Sequence, residues 1–174
     1  MSQHKTLLGW HFLPEDRRLR YGTRELVEAG RTYTAEGPLA LCENGMHASV
    51  RAIDALRYAL GPVVCRVRLA GEMLKGDDKV VGRSRTVLWM FDASMLLHTF
   101  AVQCATDALE AASAQGREPD PRSYAALDVK LRWLHGEATD VELSAAQSAA
   151  QSAAESARNT VLETMLTTWE REHA

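Results

Sequence analysis

From Thr139 onward the chain meets neither proline nor glycine before its last residue, and the stretch opens with Thr139 and Glu142 in the T-x-x-E spacing of a capping box. Together these predict one helix from about residue 139 to the end. At 1.5 Å per residue it would run about 50 Å, longer than the core of a domain this size. Such a helix must project, bend, or pack on something outside its own domain. Its first half carries a four-residue repeat, SAAQ SAAQ SAAE SA, from Ser144 to Ala157. Alanine favours helix without tertiary help, yet alanine and serine bury little apolar area. The second half supplies Val161, Leu162, Met165, Leu166 and Trp169 at helical spacing, an apolar stripe suited to docking. The helix therefore either lies across its own domain or serves as an arm for self-association, giving a homodimer, or for a partner.

A second helical pattern precedes it. Asp120-Pro121 supplies an N-cap followed by proline at the first helical position, AALDVKLRWLH carries the pattern on, and Gly136 stops it. Upstream of about residue 115 the character changes, because short apolar runs there alternate with turn signals. KTLLGWHFL reads as a strand. VVCRVRLAG sets Cys65, Val67 and Leu69 against Arg66 and Arg68 with a period of two, the mark of a strand with one wet face. GEMLKGDDK turns the chain through Gly76 into KVVGRSRTVLWMF, one or two further strands. Between the first strands and VVCRVRLAG, Ser49 is placed to cap a short helix bearing Val50, Ile53, Leu56, Ala59 and Leu60 and stopped by Gly61-Pro62. Another helix begins near Asp92 or Ser94. These elements give an α+β fold with a small antiparallel or mixed sheet: a core domain over residues 1–115 and a helical extension over 116–174.

The function classes narrow by composition. A formal charge of −3 over 174 residues gives no basic field of the kind nucleic-acid binding draws on, so nucleic acid is disfavoured. No apolar run approaches the roughly 20 residues of a membrane span. Cys42, Cys65 and Cys104 are odd in number and widely spaced, and MSQHKTLLGW carries no signal-type run. The expectation is a soluble protein of a reducing cytoplasm.

GWHFL, RTYTAEGPLALCENGMHAS, IDALRYALGPVVCRVRLAGEM, DDKVVGRSRTVLWMFDA and the alanine-rich tail, in that order, resemble a family of small phage and prophage proteins whose core precedes a variable helical tail. GMHAS and CRVRLAGE are the most specific segments. The resemblance implies a mobile-element context in the cytoplasm of a bacterial host: an accessory protein that binds a macromolecular partner, a protein, and in that setting a host-defence antagonist such as an anti-CRISPR. The same order of segments also resembles, faintly, the layout of ADP-ribosyltransferases. That resemblance implies NAD as cofactor, His11 in the role of the ribose-contacting histidine, His47 where an aromatic is expected, and Glu72 as the carboxylate facing an oxocarbenium-like ribose. No glycine follows His11, which departs from the pattern.

LCENGMHAS holds the reactive side chains Cys42 and His47 around Gly45. A zinc site would need His11 and Cys65 brought in from elsewhere, and a cysteine nucleophile would need Glu43 and His47 to converge on Cys42. The structural reading makes LALC a strand, ENG a tight turn with Asn44 or Gly45 at positive φ, and His47-Ala48-Ser49 the entry to the helix. It predicts no metal and, unless NAD is used, no cofactor. Arg66, Arg68, Arg83 and Arg85 would form one positive face if their strands pair, a site for an anionic partner surface. Trp10, Trp89 and Trp133 are spaced as core anchors.

Overall fold

A computed structural model of the chain describes residues 6–20 and 24–173, with the backbone alone described in the last helix at residues 155–158, 160–162 and 164–173. It has an α+β fold that divides into two units, residues 1–94 and 95–174.

The first unit is an antiparallel sheet. Strand β1 (Thr6–Leu13) pairs with β4 (Val63–Lys75), β4 with β5 (Val80–Asp92), and the far edge of β5 takes two short strands end to end, β2 (Thr32–Thr34) and β3 (Met46–Ala48). Past β3 the chain returns to the free edge of β1. There Trp10 and Ser49 exchange both backbone hydrogen bonds, at 2.7 and 2.9 Å, so the two ends of the sheet meet. A Cβ on Gly9 would lie 2.9 Å from Ala48 Cβ and 3.0 Å from the Ser49 carbonyl oxygen, which leaves glycine as the residue that lets this seam close.

The alternation read in VVCRVRLAG is realised. Val63, Cys65, Val67 and Leu69 point inward and are buried, while Arg68 points outward and is exposed. Each such apolar side chain contributes about 1.5–3 kcal/mol on burial. They pack with Leu13, Val27, Tyr33, Ala48, Val80 and Val87 into one core.

Two irregularities interrupt the β4–β5 ladder. Arg66 is paired with Trp89 but Val67 with Val87, so Leu88 is an extra residue. Further on, Gly71 and Glu72 together face Arg83, and Gly71 takes φ +83°, the left-handed conformation that a bulge of this kind asks of its first residue.

The helix expected to be capped by Ser49 is shorter and begins later. Helix α1 spans Ala52–Leu56 after Arg51, and its buried residues are Asp54 and Ala55, with Ile53 exposed. Ser49 is drawn instead into the seam with Trp10, and His47 with Ala48 forms strand rather than helix entry. LALC is not a strand: Ala40 and Asn44 bridge each other across a turn, Cys42 stands at φ +68°, and Gly45 at φ +129°. The positive φ at Gly45 agrees with the tight turn expected there.

From Asp92 onward the local signals act as read. Asp92 Oδ1 accepts the Ser94 N–H at 2.8 Å where α2 (Ser94–Ala114) begins. Asp120 accepts the Arg122 N–H at 2.8 Å ahead of α3 (Pro121–Leu134), and Gly136, at φ +77°, ends it. Thr139 and Glu142 form the reciprocal capping box of α4 (Asp140–His173), with Glu142 Oε2 2.8 Å from the Thr139 nitrogen. Helix α2 groups with the extension rather than with the core, so the division falls ahead of residue 115; His98 of α2 meets the Trp133 ring of α3 edge-on at 5.2 Å. No described helix is long and apolar enough to cross a membrane.

Candidate functional site

The Leu88 bulge decides which arginines share a face. Along an unbroken strand Arg83, Arg85, Val87, Trp89 and Phe91 would all point one way; the extra residue reverses the alternation, because side-chain direction has a period of two. Trp89 and Phe91 therefore face outward beside Arg66, and Arg85 and Val87 face inward beside Leu69 and Val67. The single positive face expected of Arg66, Arg68, Arg83 and Arg85 does not form, although the strands do pair. Arg66 and Arg68 remain on the outer face. Arg83 is half-buried; its Nη1 donates to the Ala35 carbonyl and, more closely, to that of Gly37, and its Nη2 to Glu72 at 2.7 Å.

What forms on the outer face is an aromatic cluster with a cation on it. Trp10 and Trp89 meet edge-on at 5.7 Å, Trp89 stacks on Phe91 at 5.9 Å, and the Arg66 guanidinium lies 4.6 Å over the Trp10 ring. Trp89 is 42% and Phe91 46% exposed, and neither Trp10 nor Trp133 is buried, so the tryptophans are not the core anchors they were expected to be. Trp133 instead donates to Asp140 at 2.7 Å, joining α3 to the start of α4. The cluster was missed because its members sit on separate strands; the signal available was the W-x-F of β5 opposite the GWH of β1.

Inside the sheet Arg85 is 3% exposed. Its Nη1 donates to the His47 carbonyl oxygen at 2.8 Å, while its Nε, also buried, has no hydrogen-bond partner. Burial lowers its pKa to about 10, so it stays a cation at neutral pH. Tyr33 is its cross-strand neighbour, and the Tyr33 hydroxyl is committed elsewhere, accepting from the Glu28 nitrogen and donating to the Leu26 carbonyl. Cys65, raised to about 11 by burial, is an inert thiol. His11 is held well below its ordinary pKa, first by burial and then by the charges of Arg85 and His47.

His47 is lowered as well, mainly by burial. Its Nε2 accepts the Cys42 N–H and its Nδ1 lies 3.0 Å from the Gly45 oxygen, which fits the neutral tautomer with the proton on Nδ1. The His47 ring thus reaches from β3 onto the turn that carries Cys42, where the Cys42 sulfur receives Lys79 Nζ at 3.1 Å. The described residues hold no cluster of three or more histidine, cysteine or acidic side chains fit for a metal. Glu72, the carboxylate of the transferase resemblance, is 60% exposed and paired with Arg83. The stripe of Val161, Leu162, Met165, Leu166 and Trp169 lies on α4, but its side chains fall outside the described residues.

A family model described as a domain of unknown function, DUF7666, matches residues 20–99. The match takes in Arg66, Arg85, Trp89 and His47 and leaves out β1 with Trp10 and His11. No curated protein and no solved structure matches the chain.

Proposed function

We propose that the protein acts by binding a protein partner through the outer face of its sheet, as an accessory factor of a phage or mobile element that antagonises a host system such as CRISPR-type defence. The observation that carries the binding reading is the exposed Trp10–Trp89–Phe91 cluster with Arg66 seated on it. Tryptophan and arginine supply most of the strong anchor positions at protein interfaces. Arg66 and Arg68 stand on this same face, so the fitting surface is apolar with an acidic rim.

Capture from a bacterial host lysate tests this when the wild type is run beside Trp89→Ala and Arg66→Glu. Both substitutions are expected to reduce recovery of the same partner about tenfold with the fold intact by circular dichroism. A partner retained equally by both variants would sink the reading. The stripe of α4 extends the same reading to self-association: deleting residues 159–174 is expected to turn a dimer into a monomer in light scattering while the sheet stays folded. A monomer at every concentration, with a truncated chain that does not fold, would show that the tail is part of the core.

A second reading, an NAD-using enzyme similar to ADP-ribosyltransferases, has one observation in its favour: a part-exposed His11 that burial and the charge of Arg85 hold well below its ordinary pKa. NAD is expected to leave the melting midpoint unmoved if the protein is only a binder. A stabilisation abolished by His11→Ala would reverse the order of the two readings.

A further inference from the structure

We infer that the interior of the sheet holds an oxyanion seat whose anchor is Arg85, taking a phosphate or carboxylate group. A guanidinium buried to 3% needs compensation, because withdrawing a charge from water costs several kcal/mol that only a counter-charge and hydrogen bonds return. Arg85 has one bond, to the His47 carbonyl, and forms no ion pair among the described residues. For stability alone an apolar side chain of similar volume would serve at least as well. Nη1 is the nitrogen with a partner, which leaves the edge bearing Nε and Nη2 without one; Nε is buried there, and the parallel N–H groups of that edge match the two oxygens of a carboxylate or phosphate. His11 and His47, both part-exposed, stand near enough to Arg85 to feel its charge, so the cluster reaches from the core toward the surface. An anion there would meet Arg85 first, with the His11 ring as a second donor once it is protonated. This seat is on the opposite face of the sheet from the aromatic cluster, so it stands or falls apart from the partner-binding reading.

The test titrates inorganic phosphate, and separately acetate, into the full chain at constant ionic strength, following the melting midpoint and the ring signals of His11 by NMR. At least one anion is expected to raise the midpoint and shift the His11 signals. A response to phosphate alone assigns a phosphoryl seat, and a response to both assigns a general oxyanion seat. Arg85→Met should weaken the binding about tenfold or more, while Arg117→Gln, on the surface of the other unit, should leave it unchanged. Should Arg85→Met not fold, Arg85→Lys keeps the charge but loses the fork, and it too should bind about tenfold more weakly. Absence of any response in the wild type, or equal binding by the wild type and Arg85→Lys, overturns the proposal.

Discussion

In the sheet unit Cys65, Val67, Leu69 and Val81 are sealed from water, whereas in the helical unit the buried apolar residues among those described are Val102, Leu143 and Ala153. The charge divides as unevenly. Residues 1–94 hold 14 basic and 11 acidic side chains, and residues 95–174 hold 6 and 12. One unit is held by non-local packing around a closed seam; the other is a set of helices with strong local signals, two of them, α3 and α4, packed on each other. The difference teaches that the chain puts its chemistry where tertiary structure is densest, since the buried arginine and both part-enclosed histidines are on the sheet.

This contrast can be broken or sharpened by substitution. Leu69→Ala, in the centre of the core, is expected to cost about 2–5 kcal/mol in urea unfolding, whereas Leu131→Ala, at an exposed position of α3, should cost no more than about 0.5 kcal/mol. Equal costs would mean that the helices are no less dependent on packing than the sheet. Gly45→Ala comes next. Its φ of +129° strains any other residue by about 1–3 kcal/mol, and the new Cβ would overlap Val81 and come within 2.9 Å of Leu39. The variant should lower the melting midpoint of the sheet and leave helical circular dichroism from α4 in place.

The pH dependence should also belong to the sheet. His11 and His47 are held below 6.5 in the folded chain by burial, so the unfolded state binds protons more readily. Their contribution is whole above about pH 6.5 and is lost as pH falls below it, by up to about 1.4 kcal/mol per pH unit for each histidine. His11→Gln should flatten the slope of stability between pH 6.5 and 5; an unchanged slope would show that His11 is protonated as readily in the fold as outside it. The most local effect is expected of Thr139→Ala, which removes the hydroxyl half of the α4 capping box at a cost of about 1 kcal/mol. Hydrogen exchange should then rise in the first turn of α4 and stay as it was in β4 and β5.

The helical unit was legible almost residue by residue. Asp120 with Pro121, Gly136, and Thr139 with Glu142 act within one turn of chain, so their meaning does not depend on what lies elsewhere. Ser49 shows the limit of the same rule: a residue suited to capping was taken by an edge hydrogen bond with Trp10, a partner 39 positions away. LALC, apolar enough for a strand, closed into a turn around Ala40 and Asn44.

By itself the sequence determined the α+β class, the inward row Cys65, Val67 and Leu69, and the uninterrupted run of α4, because helix caps and side-chain periodicity are properties of neighbouring residues. Only the tertiary structure decided that Arg85 is buried and that Trp89 is exposed. A single extra residue, Leu88, reverses which way every later side chain points, and a bulge exists only as a mismatch between two strands, which one strand's sequence does not contain.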